Sequence, residues 1–145
     1  MNGLRSIGLA LGLAMSAAVM ADGIRSPAPD GASLYFIAPA DGAVVSGPFT
    51  VKFGLQGMGV APAGVDVPNT GHHHLLINLE EAVNPDLPLP ATDQVRHFGG
   101  GQTETQLSLP AGTYRLQLML GNHLHVPHDP PVTSEVITVT VAEQP

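Results

Sequence analysis

From Ser33 onward the chain shows no apolar period of 3.6 residues. Its side chains alternate instead. In "TYRLQLML" (113–120), Tyr114, Leu116, Leu118 and Leu120 fall on one side, and Arg115, Gln117 and Met119 on the other. In "PFTVKFGL" (48–55), Phe49, Val51, Phe53 and Leu55 oppose Thr50, Lys52 and Gly54. Period 2 is what a strand with one face in a core requires. The alternating runs are short, and clusters drawn from 17 Gly and 14 Pro, with Asn and Asp, separate them. The fold class is therefore all-β. Strands are expected at 33–37, 48–55, 72–80, 94–98, 103–109, 113–120 and 133–141, with 43–45 continuing the first. About seven short antiparallel strands suit an immunoglobulin-like β-sandwich. "LPAGTYRLQL" fits the turn into its sixth strand, with Tyr114 as a candidate corner tyrosine. A sandwich or jelly roll of different strand order is the alternative.

The sandwich domain is expected over 33–142, behind a Pro/Gly-rich flexible lead-in at 22–32. Residues 1–21 read as a secretory signal peptide: Arg5, the apolar run "SIGLALGLAMSAAVMA", and small residues Val19 and Ala21 at a cleavage point after Ala21. The run is short for an uncleaved anchor, since a spanning helix needs about 20 apolar residues. No cysteine follows it, which argues against a lipoprotein. No later segment could span a membrane, so the expected location is exported, periplasmic or secreted. After the leader only Arg25, Lys52, Arg96 and Arg115 are basic, against 12 acids. Such a surface does not follow a phosphate backbone, which excludes nucleic acid as a partner.

Cysteine is absent, so a metal site in this chain must use His, Met, carboxylate or backbone groups. All 7 histidines follow the leader, and strand order sends them to one end. His72, His73 and His74 follow the loop 56–71 at the start of the third strand. His97 precedes the turn 99–102. His123, His125 and His128 lie in the loop 121–132. In the expected topology these three loops share a pole, together with Met58, Met119 and Asp129. Strand parity then divides the triplet. His73 shares the core face with Leu75, Ile77 and Leu79, where it could bond a loop carbonyl and support the site. His72 and His74 lie on the other face, as an i, i+2 pair able to chelate one ion. A bulge at the strand end would reverse this division.

Imidazole suits copper and zinc, and thioether would favour Cu(I). A His/Met cluster without cysteine thus points to copper first and zinc next. The competing reading is a structural network of histidines bonded to loop backbone. "HFGGGQTE" (97–104) lacks the helix and lysine of a phosphate loop and reads as a turn that allows close approach. "PHDPP" (127–131) holds His128 and Asp129 between prolines. A hydrolase triad has no support: there is no Cys and no GxSxG elbow. Glu104 and Asp129 are the acids that could act as bases in metal-dependent hydrolysis.

On "GHHHLLI" (71–77), "HFGGGQTETQLSLPAGTYRLQLMLGN" (97–122) and "HVPHDPPVTSEVITVTV" (125–141) the chain resembles a family of small exported bacterial proteins. That family is catalogued as a domain of unknown function with a triple-histidine signature, and the resemblance spans roughly 56–142. It implies signature positions at His72, His73, His74, His97, His125 and His128, with His123 a local extra. The family implies no activity. The expectation is a periplasmic metal-binding protein that carries, buffers or senses copper or zinc, with the ion and another periplasmic protein as its partners. The sequence leans away from an enzyme. A metalloenzyme with three histidines and an open position, or a module binding a non-metal ligand or protein, are the alternatives.

Overall fold

The computed structural model describes residues 23–143; the expected leader at 1–21 lies outside them. The described residues form nine strands and no helix. These are β1 (Ser33–Ala38), β2 (Val44–Ser46), β3 (Phe49–Gln56), β4 (Gly59–Val60), β5 (Thr70–Ile77), β6 (Val95–His97), β7 (Glu104–Leu107), β8 (Gly112–Gly121) and β9 (Ile137–Ala142). One sheet has the order β1-β3-β7. The other runs β2-β9-β8-β5-β4, with β6 also paired to β5. This is an all-β sandwich, and its strand order is compatible with an immunoglobulin-like one. Tyr114 donates its hydroxyl to the Pro110 carbonyl at 2.8 Å, the bond expected of a corner tyrosine.

The alternating runs meet as their parity requires. Leu34, Phe49, Val51, Phe53 and Leu107 of the smaller sheet pack on Leu75, Ile77, Leu116, Leu118, Leu120, Ile137, Val139 and Val141 of the larger. Burial of such side chains, about 1.5–3 kcal/mol each, is the main force holding the two sheets together.

Several expectations need correction. Nine strands stand where about seven were expected, and the third expected strand ends at Ile77 rather than Glu80, because Asn78 turns at φ 50°, so Leu79 joins the outer cluster instead of the core face. Residues 44–46 do not continue β1. They cross to the larger sheet and pair in parallel with β9, Val45 opposite Val141. The last strand begins at Ile137 rather than 133, because Val132 and Ser134 are tied to β8 by separate bonds to Leu120 and Leu118. Residues 24–32 are not a free lead-in. Asp129 N–H donates to the Ser26 carbonyl and Ala28 N–H to the Asp129 carbonyl, each at 2.9 Å, and Ala28 and Ala32 touch the core.

The outer face of the larger sheet is covered as well. The connection after β5 folds back over it, so Leu79, Val83 and Leu89 meet Leu76, Val95 and Met119 in a second apolar cluster. Strand β5 is thus covered on both faces, which explains why "HHHLLI" reads as a continuous buried run rather than an alternating one. Its edge opposite β8 is shared end to end: β4 pairs with Thr70 and Gly71, and β6 with His74 to Leu76.

Candidate metal centre

Strand β5 places the triplet. His72 stands opposite Gly121 and His74 opposite Met119 on β8, while His74 also faces His97 on β6. Directly opposed residues share a face, so His72, His74 and His97 project together onto the outer side of the larger sheet. His125 reaches the same place from the loop after β8. The four rings form one cluster. Centroid distances are 4.8 Å for His72–His74, 5.0 Å for His72–His97, 4.9 Å for His72–His125 and 5.2 Å for His74–His97. His97 and His125 are 4.6 Å apart, with Nε2 to Nε2 at 3.0 Å. Ring nitrogens of His72, His74 and His97 all lie within 4.8 Å of one another. Metal–nitrogen bonds of 2.0–2.1 Å place neighbouring ligand nitrogens about 2.9 Å apart in a square arrangement and about 3.3 Å in a tetrahedral one. The His97–His125 pair stands in that range, a separation at which one Nε2–H also donates to the other Nε2.

Two glycines make room for the rings. A Cβ on Gly121 would lie 2.6 Å from His74 Cε1, and one on Gly99 would lie 2.3 Å from His97 Cε1 and 2.5 Å from its Nε2. The close approach expected at "GGG" is therefore that of the His97 ring to Gly99.

His72 and His74 are buried, at 0% and 1% exposure, and none of their four ring nitrogens has a hydrogen-bond partner. A neutral imidazole carries one donor and one acceptor, and leaving such a buried group unpaired costs about 1–3 kcal/mol. Burial, and then the neighbouring rings of His125 and His97, lowers the pKa of His72 from 6.5 to about 4. Burial and the rings of His72, His97 and His125 lower that of His74 to about 3. Partial desolvation and His125 lower that of His97. At neutral pH these rings are uncharged, the form in which histidine binds a metal.

The other candidates stand apart from the cluster. His73 faces the main core, its ring centroid 5.1 Å from that of Phe53, and burial lowers its pKa to about 4. Its nitrogens make no short hydrogen bond, although the Gln102 backbone in the loop after β6 acts weakly on the ring, so an orphaned nitrogen alone does not mark a ligand. Convergence with other rings does. His128 is buried between backbones: Nε2 is 3.1 Å from the Thr70 carbonyl and Nδ1 is 3.4 Å from that of Leu120. A neutral ring has one N–H to donate, and the shorter contact places it on Nε2. His128 thereby ties β5 to the loop after β8. His123 Nδ1 lies 3.3 Å from Asp66. Met58 packs on the main core, and Met119 belongs to the second apolar cluster. Asp129 is exposed and 3.6 Å from Arg25, and Glu104 sits on β7 in the smaller sheet. A cavity of about 380 Å³ on the outer face is lined by Leu76, Leu79, Val83, Met119, Pro127 and Pro131, beside the four rings rather than among them.

Sequence reasoning missed Gly121 and Asn122. Asn122 is buried, and its side chain makes four hydrogen bonds around the His125 loop. An Asn that follows the last alternating residue of a strand is a signal for such a turn.

No curated protein and no solved structure matches this chain. Residues 51–142 match the family described as Domain of unknown function (DUF4399), a span that takes in β4 through β9 and all seven histidines. The chain belongs to that family.

Proposed function

We propose that this is an exported, periplasmic metal-binding protein, with copper favoured and zinc next, that carries, buffers or senses the ion. One observation carries the reading. His72 and His74 present four buried, unpaired ring nitrogens on the face where His97 and His125 converge. Bound metal would give the buried lone pairs a partner. An all-imidazole set suits Cu(II) and Zn(II), because both thioethers pack in apolar clusters. Neither acid considered as a catalytic base lies among the rings, so binding is favoured over hydrolysis. The apolar leader at 1–21 supports export, and the ion's source or recipient would then be another periplasmic protein.

The test is competition against a chromophoric chelator with Cu(II), Cu(I) and Zn(II), using purified protein and a His72→Gln/His74→Gln control. The expected result is one ion per chain, bound at least a hundredfold tighter than by the control. Equal affinity in both proteins would remove the proposal.

A further inference from the structure

Three of the four clustered histidines ride on strands; His125 does not. It lies in the left-handed region at φ 67°, unusual for a residue with a Cβ, in the loop that follows β8. Such a conformation costs of the order of 1–3 kcal/mol and persists only where its surroundings fix it. The Leu89 N–H holds the His125 carbonyl at 2.9 Å, and one side chain holds the residues on either side. Asn122 Oδ1 accepts the N–H of Leu124 at 2.9 Å and that of Val126 at 3.0 Å, the two residues flanking His125. The Asn122 backbone closes the same loop: its N–H donates to the Val126 carbonyl, and its carbonyl accepts the His125 N–H, both at 2.9 Å. Asn122 Nδ2 donates to the Ile24 carbonyl at 2.8 Å and to Ser26 Oγ at 3.1 Å, which fastens the loop to the segment before β1. The asparagine is 1% exposed, and both ends of its amide are satisfied.

We infer that Asn122 is the positioning residue that brings His125 into the cluster as the fourth nitrogen ligand, turning a three-histidine group on strands into a four-histidine site. This rests on the metal-binding reading above. The acceptor half of the amide sets the turn, and the donor half anchors it. The two halves can therefore be separated: Asn122→Ala removes both, while Asn122→Asp keeps the acceptor contacts to Leu124 and Val126 and sets a carboxylate oxygen against the Ile24 carbonyl in place of the donated bond.

The experiment loads wild type, Asn122→Ala, Asn122→Asp and His125→Ala with Cu(II) and counts imidazole nitrogens by pulsed electron paramagnetic resonance, alongside affinity by chelator competition. Four nitrogens are expected in wild type. Asn122→Ala should match His125→Ala, with three nitrogens and an affinity at least tenfold weaker. Asn122→Asp should keep four. A four-nitrogen, wild-type affinity in Asn122→Ala overturns the assignment. Should Asn122→Ala not fold, Asn122→Asp decides: four nitrogens support the turn-setting role, and three refute it. Wild type that binds no Cu(II) at all defeats the metal-binding reading instead, a separate outcome.

Discussion

Acid should destabilise this protein in a way that a single substitution on the core side of β5 can isolate. His73 sits against Phe53, outside the four-ring cluster, and burial lowers its pKa from 6.5 to about 4. Between these values the unfolded chain binds more protons than the folded one, so stability rises with pH there. The contribution is fully present above 6.5, is lost as pH falls toward 4, and levels off below. At pH 5 an unfolded ring is protonated about thirty to one and a folded ring only about one to ten, which linkage converts to about 2 kcal/mol relative to pH 7. His73→Leu removes the titrating group and keeps an apolar side chain of similar size beside Phe53. Urea unfolding with a chelator present, at pH 7 and pH 5, measures the difference directly. Contributions from His72 and His74 are largely common to both proteins, since burial is the first cause of each and His73 adds only a lesser one to His72. The wild type should lose about 2 kcal/mol more than the variant between the two pH values. Equal losses would refute the claim that His73 is held neutral by burial.

Three further outcomes are expected. Metal at a hundredfold excess over its Kd should stabilise the native state by about 2.7 kcal/mol, raising Tm by about 10 °C, and His72→Gln/His74→Gln should abolish the rise in a thermal melt. Gly121→Ala and Gly99→Ala should each push on a ring, His74 or His97, and weaken metal binding about tenfold or more in chelator competition while the far-ultraviolet dichroism stays that of a β protein. Tyr114→Phe should lower unfolding stability by about 1 kcal/mol through the lost bond to Pro110, with metal affinity unchanged.

The parts of the fold legible in the sequence were those where one face is dry and the other wet. Alternation at 49–55, 113–120 and 137–141 assigned the core residues because the pleat has only two sides. Strand β5 was harder, since loops cover its outer face and erase the contrast. Strands β2 and β4 are too short to carry a period, and they form because β9 and β5 offer them unpaired edges. At the site, parity separated His72 and His74 from His73, and strand order added His97 and His125. Spacing could not separate His125 from His128. Both follow the same strand, and only the Thr70 carbonyl, set by tertiary packing, takes the one N–H of His128.

Exposure is graded across the four rings: His72 and His74 form a closed floor, His125 is half-buried, and His97 is open to solvent. In a metal-binding protein, a floor of two fixed donors under a rim of one loop-borne and one exposed donor would make ligation sequential. An arriving ion would meet His97 first, and a competing donor from outside would displace His97 first. Occupancy would thus be set by the floor, and exchange by a single ring at the rim.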